Sequence, residues 1–435
     1  MGRRHRTYER VQHEREQHNA ARQIVRRIRS GSRPKRDEKK SWTLHSGCRQ
    51  RTIGHRAIEI QDALDRCRNG HPMRTTHPVA LCAAASVIAV TLSSCASQAI
   101  DSETVPPRST ASIEVPVSSS SGGASVVTDG LDAPWAIAIF ETSMLVSERD
   151  TGQIIELGAD GNRTTVGTVD VAPAGEAGLL GLAVREGDLY TYSTAADGNR
   201  IDRFDVLGAP GSLTLGERTA VLDGIPAASY HDGGRLAFGP DGMLYATTGD
   251  AGQRDRAQDL SSLAGKILRI TPEGAVPPDN PFPDSFVYSY GHRNPQGIAW
   301  DADGAMYSSE FGANTWDELN LIEPGSNYGW PLIEGIGNTD GFVDPIHQWA
   351  TSEASPSGIA VDGSTVFIAS LRGERLTEVN LDDPDLSVDR LVGTYGRLRD
   401  VTVAPDGSLL ILTNNTDGRG NPEIGDDRLL RWRIQ

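Results

Sequence analysis

Residues 239–250 read GPDGMLYATTGD, a tight Asp-Gly turn followed by a run rich in β-forming side chains. An alternating apolar segment precedes this stretch, so the sequence predicts a strand, a hairpin turn and a second strand. The same order recurs along the chain. Strong copies occupy residues 301–310, 361–370 and 404–413, and weaker copies occupy residues 142–148 and 186–192. Six copies predict six similar β units.

The spacing of these turns favours a β-propeller. From Asp241 the turn aspartates recur at Asp303, Asp362 and Asp406, at intervals of 62, 59 and 44 residues. Such repeats are typical of propeller blades, whereas a β-sandwich array would repeat at about 100 residues. We therefore expect an all-β, six-bladed β-propeller with four-stranded antiparallel blades. Residues 427–434 alternate like a strand and are predicted to close the ring by pairing with N-terminal strands.

Charge divides the chain into two parts. The 435 residues carry a formal net charge of -16, which argues against a nucleic-acid partner for the whole protein. Residues 1–70 nevertheless carry 19 Lys and Arg against 8 Asp and Glu, a net of +11, which leaves -27 for the remainder. After Lys40 the only lysine in the sequence is Lys266. The two parts are therefore interpreted separately.

A secretory signal is predicted inside the chain. Basic residues after Met73 precede an apolar run over residues 78–92 that is short for a transmembrane helix. Leu-Ser-Ser-Cys95 follows and resembles the lipobox of bacterial lipoproteins. The resemblance implies a lipoprotein signal peptide over residues 73–94, lipidation of Cys95, and an extracytoplasmic protein anchored by lipid to the cell membrane. The alternatives are an ordinary cleaved signal and a short membrane anchor.

The segments on either side of this signal differ from the acidic part of the chain. Residues 1–72 are interpreted as a disordered, non-native upstream extension, with a basic DNA- or membrane-binding extension as the alternative. Residues 95–123 are rich in Ser and Pro and are predicted to be a flexible tether. Residues 124–435, the predicted propeller, contain no cysteine, so a disulfide cannot stabilise them.

A histidine and a carboxylate are spaced in a way that suits proton transfer. His231 precedes a predicted blade strand, and Asp250 ends the next strand, 19 residues later. A hairpin of that length can bring the two side chains together, so that the carboxylate fixes the imidazole tautomer and the imidazole accepts a proton. A turn histidine bonded to the backbone explains the spacing equally well.

Several arginines lie where predicted blades end. Arg293 and Asn294 stand before a proline in an exposed, extended loop, and Arg372 follows a strand-like run. Arg397 and Arg399 are two residues apart, so on a strand both side chains would point the same way. The guanidinium fork suits carboxylate-bearing ligands, and the group therefore predicts an anion site. Neutralisation of an acidic surface is the alternative.

Oxygen-bearing side chains are concentrated between residues 310 and 328. The stretch 310–320 reads EFGANTWDELN, and Asn327 and Tyr328 follow it. Carboxylates and backbone carbonyls on a turn-rich loop suit Ca²⁺, although the spacing is not that of an EF-hand. Solvated loop acids are the alternative.

Taken together, these motifs resemble the soluble, pyrroloquinoline quinone (PQQ)-dependent glucose and aldose sugar dehydrogenases. The resemblance extends from about Gly130 to the C-terminus and is carried by residues 175–181, 231–236, 291–297, 317–320, 327–331 and 396–400. It implies a six-bladed propeller that oxidises an aldose sugar at C1 to a lactone. It also implies hydride transfer to PQQ, and a diffusible or membrane electron acceptor.

The resemblance assigns roles to single residues. His231 matches the catalytic base, and Asp250 matches its carboxylate partner. Gly312 and Ala313 match backbone carbonyls that hold the cofactor's Ca²⁺. Glu318 and Tyr328 match a second, structural calcium site. The positions that match cofactor contacts are Glu176, Arg293, Asn294, Arg372, Arg397 and Arg399.

The motifs depart from the family pattern at four places. Glu176 replaces a glutamine, Arg372 replaces a lysine, and Tyr230 replaces an acid. Ala313 replaces a proline, in a loop where Asn-Thr-Trp also replaces a Gly-rich stretch. These changes bear on substrate choice and cofactor affinity. Two alternative functions therefore stay open: a propeller that binds sugars or glycans without turnover, and a calcium-dependent, lactonase-like propeller.

Overall fold

The described part of the protein is built from strands. The computed structural model describes residues 123–158 and 161–433, which contain 24 β-strands, one turn of 3₁₀ helix at Arg254–Gln258 and no α-helix. No helix in these residues is long and apolar enough to cross a membrane. The predicted upstream extension, signal peptide and Cys95 lie outside the described residues, and so does the predicted tether apart from Gly123.

The strands form six four-stranded antiparallel sheets, which are the six predicted blades. Blade 1 contains β2 (Pro134–Phe140), β3 (Ser143–Glu148), β4 (Gln153–Leu157) and β5 (Arg163–Thr168). Blade 2 contains β6 (Leu179–Arg185), β7 (Asp188–Ala195), β8 (Gly198–Leu207) and β9 (Thr214–Ile225). Blade 3 contains β10 (Leu236–Phe238), β11 (Leu244–Thr248), β12 (Lys266–Ile270) and β13 (Val287–Tyr290).

The remaining three blades follow the same plan, except that the last one combines both ends of the described chain. Blade 4 contains β14 (Pro295–Trp300), β15 (Met306–Glu310), β16 (Trp316–Ile322) and β17 (His347–Ala350). Blade 5 contains β18 (Pro356–Asp362), β19 (Thr365–Ser370), β20 (Arg375–Asn380) and β21 (Ser387–Arg390). Blade 6 contains β22 (Leu398–Val403), β23 (Leu409–Thr413), β24 (Leu429–Trp432) and β1 (Ser125–Thr128).

The ring closes in blade 6, as the sequence predicted. Strand β1 pairs with β24 in antiparallel register, with Ser125 opposite Arg431 and Val126 opposite Leu430. The first strand of each blade contacts the first strand of the next, and β22 contacts β2. The six first strands therefore surround a common axis, and the all-β, six-bladed propeller prediction is confirmed.

The repeated Asp-Gly turns have one structural role. The Asp-Gly turns of blades 3 to 6 each join the first and second strands of their blade, and in two of them the aspartate of the pair accepts a backbone hydrogen bond across the turn. The Asp241 carboxylate accepts the Met243 N–H at 3.1 Å, and Asp406 accepts the Ser408 N–H at 3.1 Å. In blade 4 the neighbouring Asp301 plays this part and accepts the Ala305 N–H at 2.9 Å, whereas the first hairpins of blades 1 and 2 turn without an Asp-Gly pair. Such local bonding favours aspartate in these turns.

Apolar side chains between neighbouring blades form the core. Where blade 6 meets blade 1, Val146 and Leu157 of one sheet pack with Leu410 and Leu412 of the other, all fully or almost fully buried. Burying such a side chain stabilises the fold by about 1.5–3 kcal/mol. Each blade is thus held by its two neighbours, which fixes the loops at the axis.

The first strands also carry a less regular feature that determines what fills the axis. In five blades this strand has a β-bulge close to its first residue. The residues displaced by three of these bulges are Trp135, Gln296 and Arg399. A bulge re-aims the side chain of the extra residue, and all three line one small cavity on the axis.

Candidate active site

His231 and Asp250 meet at one end of blade 3. His231 lies in the loop before β10, and Asp250 follows β11, so the hairpin formed by these strands returns the chain to the same place. The imidazole Nδ1 lies 2.8 Å from Oδ1 of Asp250. His231 has a positive φ of 63°, and a Cβ at Gly249 would collide with its carbonyl oxygen, so close backbone approach holds the loop in place.

Asp250 is held by more than the histidine. Its Oδ2 accepts the indole N–H of Trp330 at 2.8 Å, and its Oδ1 also accepts the N–H of Gly252 at 2.8 Å. Burial opposes ionisation of this carboxyl, but hydrogen bonds from His231, Trp330 and Gly252 hold its pKa below the ordinary value. Asp250 is therefore an ionised carboxylate in a fixed position.

The backbone N–H and the ring of His231 also have fixed contacts, whereas Nε2 has none in the part of the chain that the structure describes. Its backbone N–H donates to Oε2 of Glu176 at 2.8 Å, and its ring lies edge-on to Tyr230 with centroids 4.7 Å apart. Its side chain is 15% exposed, and no described residue bonds its Nε2. Because Asp250 takes the Nδ1 side, Nε2 is the nitrogen left for a ligand.

His231 opens into a cavity of about 270 Å³ that four arginines line. Three of them, Arg293, Arg372 and Arg397, were predicted to contact an anionic ligand. The fourth is Arg419, which lies in the loop after β23. The structure therefore brings most of the predicted guanidinium groups to the same cavity as the histidine.

These guanidinium groups are anchored, yet each keeps donors to spare. Arg293 donates from Nη1 to the carbonyl of Phe311 at 3.1 Å, and Arg372 donates from Nη1 to the carbonyl of Thr351 at 2.7 Å. Arg397 forms an ion pair with Asp417 at 3.0 Å. A guanidinium has five N–H donors, so several stay free for carboxylates of a bound molecule.

Glu176 lies at the edge of this cavity and is not left as an isolated charge. Arg419 donates from Nη1 to its Oε1 at 2.8 Å. Burial raises the pKa of Glu176, but the backbone N–H of His231 and the charge of Arg419 bring it below the ordinary value. The acid that replaces the family's glutamine is thus ionised and paired.

Asn294 connects three parts of the site. It is fully buried, and its Oδ1 accepts the Gly233 N–H at 3.0 Å and the Gln296 amide at 3.0 Å. Its Nδ2 donates to Glu176 at 3.4 Å. The predicted cofactor residue therefore also fixes the loop that carries His231.

Arg399 lines a second cavity, which shares Glu176, Phe311 and Arg419 with the cavity of the other arginines. This second cavity has a volume of about 20 Å³, and the Arg399 guanidinium carbon lies 4.3 Å from the Trp135 ring centroid, with Nη2 bonded to Gln296 at 3.0 Å. Burial, with the nearby Arg235 charge, lowers its pKa to about 9. Arg397 precedes β22, and Arg399 is the residue displaced by the bulge at the start of that strand, so the two guanidinium groups line different, adjoining cavities.

The residues predicted to hold calcium fall into two places. Gly312 and Ala313 line the cavity of His231, and no described group donates a hydrogen bond to their carbonyl oxygens. Glu318 and Tyr328 line a space of only about 10 Å³ beside it. Within residues 123–158 and 161–433, no three His, Cys, Asp or Glu side chains form a metal-binding group, so a calcium ion here would depend on backbone oxygens.

Acidic side chains lie close together around the small space that Glu318 and Tyr328 line. Burial and the nearby Glu310 raise the pKa of Glu318 to about 8. The Glu318 carboxylate accepts the Gly335 N–H at 2.7 Å and the Asn320 amide at 3.0 Å. The Tyr328 hydroxyl is already engaged, since it donates to the Leu321 carbonyl at 2.7 Å, so only the main chain of Tyr328 could serve a cation.

A model of the glucose/sorbosone dehydrogenase family matches residues 131–431. The chain belongs to the glucose/sorbosone dehydrogenase family. It is 32% identical over 337 residues to the aldose sugar dehydrogenase of Escherichia coli (strain K12), covering 67% of this chain and 90% of the relative. Membership makes the protein an oxidoreductase that acts on sugars, and it confirms the family resemblance found in the sequence.

Two further family members show the breadth of the match. Quinoprotein glucose dehydrogenase B of Acinetobacter calcoaceticus is 30% identical over 260 residues, covering 50% of this chain and 54% of the relative. The PQQ-bound aldose sugar dehydrogenase of Streptomyces coelicolor is 48% identical, with a TM-score of 0.69, over 72% of this chain and 97% of that structure.

Sequence reasoning missed three side chains of this dehydrogenase site. Trp330 was part of a recognised motif but had no role, although it holds Asp250 and lies 5.5 Å from the Arg293 guanidinium. Arg419 follows an irregular loop rich in Asn, Asp and Gly, which offers no periodic signal. Glu334 bonds four consecutive amides of the loop that contains Gly312, a contact that spacing alone does not reveal.

Proposed function

We propose that this protein oxidises the C1 hydroxyl of an aldose to the corresponding lactone, with PQQ as cofactor. The observation that carries the proposal is the convergence of the His231–Asp250 pair and four arginines on one cavity. Bound there, PQQ would supply the two-electron acceptor for the hydride that leaves C1. The name of the Streptomyces relative supports this cofactor.

The residues around the cavity fit a carboxylate-rich cofactor. Arg293, Arg372 and Arg397 each keep unused N–H donors beside the cavity, and a planar guanidinium binds carboxylates in a bidentate manner. The carbonyls of Gly312 and Ala313 are hard oxygen donors without a described partner, which suits Ca²⁺. In this proposal the ion would be held beside the cofactor, where it polarises the acceptor.

His231 is the general base in this proposal. With Nδ1–H donated to Asp250, the lone pair of Nε2 faces the cavity and can take the proton of the sugar's C1 hydroxyl. The ionised Asp250 stabilises the imidazolium that results, and Trp330 keeps the carboxylate from turning away. Proton removal by His231 and hydride departure from C1 together convert the cyclic aldose to a lactone.

Reconstitution tests the proposal. The purified protein is loaded with Ca²⁺ and PQQ, and reduction of an artificial electron-accepting dye is followed with a panel of aldoses and, separately, of lactones. Dye reduction with aldoses is expected, with lactone as product. Quinone binding without dye reduction would indicate a sugar-binding module instead, and lactone hydrolysis in the absence of quinone would indicate a lactonase.

The sequence motif at Cys95 supports a further proposal about location. We infer that the enzyme is lipid-anchored outside the cytoplasm and passes electrons to a diffusible or membrane acceptor. Mass spectrometry of the protein from membranes tests this, since a diacylated N-terminal Cys95 is expected. An unmodified chain that retains residues 1–94 would contradict the anchor while leaving the proposed chemistry intact.

A further inference from the structure

Glu334 makes an unusual set of contacts with the loop between β15 and β16. Its Oε1 lies within hydrogen-bond distance of the backbone N–H groups of residues 313, 314, 315 and 316, at 2.7, 3.0, 3.0 and 3.2 Å. Four consecutive amides thus converge on one carboxylate oxygen, as they do in anion-binding nests. Burial opposes ionisation of Glu334, but these four bonds hold its pKa below the ordinary value.

The geometry of the peptide unit determines what this contact does to the carbonyls. In a trans peptide the N–H of one residue and the C=O of the preceding residue point in opposite directions. The peptide bonds between residues 312 and 316 are trans, since the described cis bonds lie elsewhere. Amides that face Glu334 therefore turn the carbonyls of Gly312 and Ala313 away from it.

Gly312, which precedes the four amides that contact Glu334, is held by the carboxylate of Asp317. The Gly312 N–H donates to Oδ1 of Asp317 at 2.8 Å, and the other oxygen of Asp317 accepts the Ser355 N–H at 2.7 Å. A Cβ at Gly312 would collide with the carbonyl oxygen of Trp316, so only glycine fits there. Gly312 and Ala313 also line the His231 cavity.

We propose that Glu334 is a positioning residue that presents the Gly312 and Ala313 carbonyls to the Ca²⁺ of this site. The inference rests on the calcium part of the proposed function. It explains how a loop with Ala313 and Asn-Thr-Trp, in place of a proline and glycines, keeps a defined shape. The carboxylate supplies from outside the loop the order that proline would supply within it.

Calcium titration of the PQQ-free full-length protein by calorimetry tests this role. The variants are Glu334→Ala, which removes the acceptor, and Glu334→Gln, which keeps an amide oxygen but no charge. Glu156→Ala is the matched control, because Glu156 also accepts two backbone amides, from Gly211 and Leu213, but does so in blade 1, outside this loop. Hydrogen exchange of residues 313–316 reports on the loop itself.

Glu334→Ala is expected to weaken calcium binding by about 10–100-fold, the usual loss when a group that orients metal ligands is removed. Exchange of the four amides should become faster. Glu334→Gln should lose less affinity, though at least about threefold because the charge is gone, and it carries the test if the alanine variant does not fold. Glu156→Ala should match the wild type in calcium affinity.

The contrary outcomes separate this inference from the proposed function. Faster amide exchange with unchanged calcium affinity in the Glu334 variants would overturn the positioning role and leave the calcium proposal standing. A wild-type protein that takes up no calcium would overturn both. Equal losses in the Glu334 variants and Glu156→Ala would show a general effect on stability and would also overturn it.

Discussion

The imidazole of His231 and the carboxylate of Asp250 are joined by a 2.8 Å contact at one end of the β10–β11 hairpin. The two residues flank the strand pair that lies nearest the axis in blade 3. The hairpin of blade 3 therefore places a proton acceptor and its partner beside the cavity that four arginines line. In this position His231 can accept a proton from a molecule bound in the cavity.

Replacing Asp250 by asparagine tests the partner's role. An amide cannot stabilise the imidazolium and can present the wrong group to Nδ1, so kcat should fall by about 10²–10⁴-fold. Affinity for the quinone should stay within about threefold, since Asp250 does not line the arginine cavity. Steady-state dye reduction and quinone titration measure the two effects. Asp362→Asn, in the hairpin turn of blade 5, is the control and should behave like the wild type.

The pair formed by Glu176 and Arg419 is predicted to act as a charge-compensating unit. Arg419 is about half exposed, with 54% of its side chain accessible, so the ion pair itself adds little stability. Arg419→Ala leaves an unpaired carboxylate beside the cavity, which should weaken quinone binding about tenfold through repulsion. Glu176→Gln in the same chain should restore most of that affinity. Strictly additive effects in this double-mutant cycle would contradict the coupling.

Arg397 and Arg399 should differ sharply although they are neighbours in sequence. Arg397→Ala should weaken quinone binding by about 10–100-fold, because a hydrogen bond to a charged group contributes about 1.5–3 kcal/mol. Arg399→Met should leave the unfolding midpoint in urea unchanged or raise it, because it removes a buried charge that lies close to Arg235. Quinone affinity should change less than about threefold, since Arg399 packs on Trp135. Equal losses of affinity in both variants would place Arg399 in the cofactor site after all.

Asp232 is predicted to make stability depend on pH. It is 2% exposed, and its Oδ2 has no hydrogen-bond partner among the described residues. Burial raises its pKa to about 6, above the roughly 3.9 of an exposed aspartate. The folded state therefore binds this proton more tightly than the unfolded chain. Stability from this group is full below about pH 4 and is lost as pH rises to about 6.

The variant Asp232→Asn removes that titration. The difference in free energy of unfolding between variant and wild type is measured at pH 4 and at pH 7. It should favour the variant more at pH 7 than at pH 4, by about 2–3 kcal/mol. Asparagine keeps the oxygen that accepts the Asn199 amide and the Ala228 N–H, so the loop should stay in place. Urea unfolding at the two pH values measures the difference. A difference that does not change with pH would show that Asp232 is not a buried, proton-binding group.

The architecture was predictable because its signal is local. Asp-Gly turns such as those at Asp241 and Asp406 identify the first hairpin in four blades, and the weaker copies at residues 142–148 and 186–192 complete the count of six. The length of the blade 3 hairpin allowed His231 and Asp250 to meet, but the spacing fitted a turn histidine equally well, and the family resemblance was needed to favour the pair. Ring closure by β24 followed from the alternation of its residues.

Other parts of the site depend on features that have no period in the sequence. The β-bulge at the start of β22 means that the direction of the Arg399 side chain cannot be read from a regular alternation with Arg397. Arg419 lies in an irregular loop, and Glu334 reaches its amides across space from another loop. Such contacts arise only when six blades bring distant segments to one axis.

The most direct test of the account is the single-turnover rate of His231→Ala measured together with its affinity for the quinone. The rate of sugar oxidation is expected to fall by at least about 10³-fold, because Nε2 is the base that faces the cavity. Quinone affinity should stay within about threefold, because the arginines are untouched. A variant that binds the quinone and oxidises aldoses at the wild-type rate would contradict the central claim.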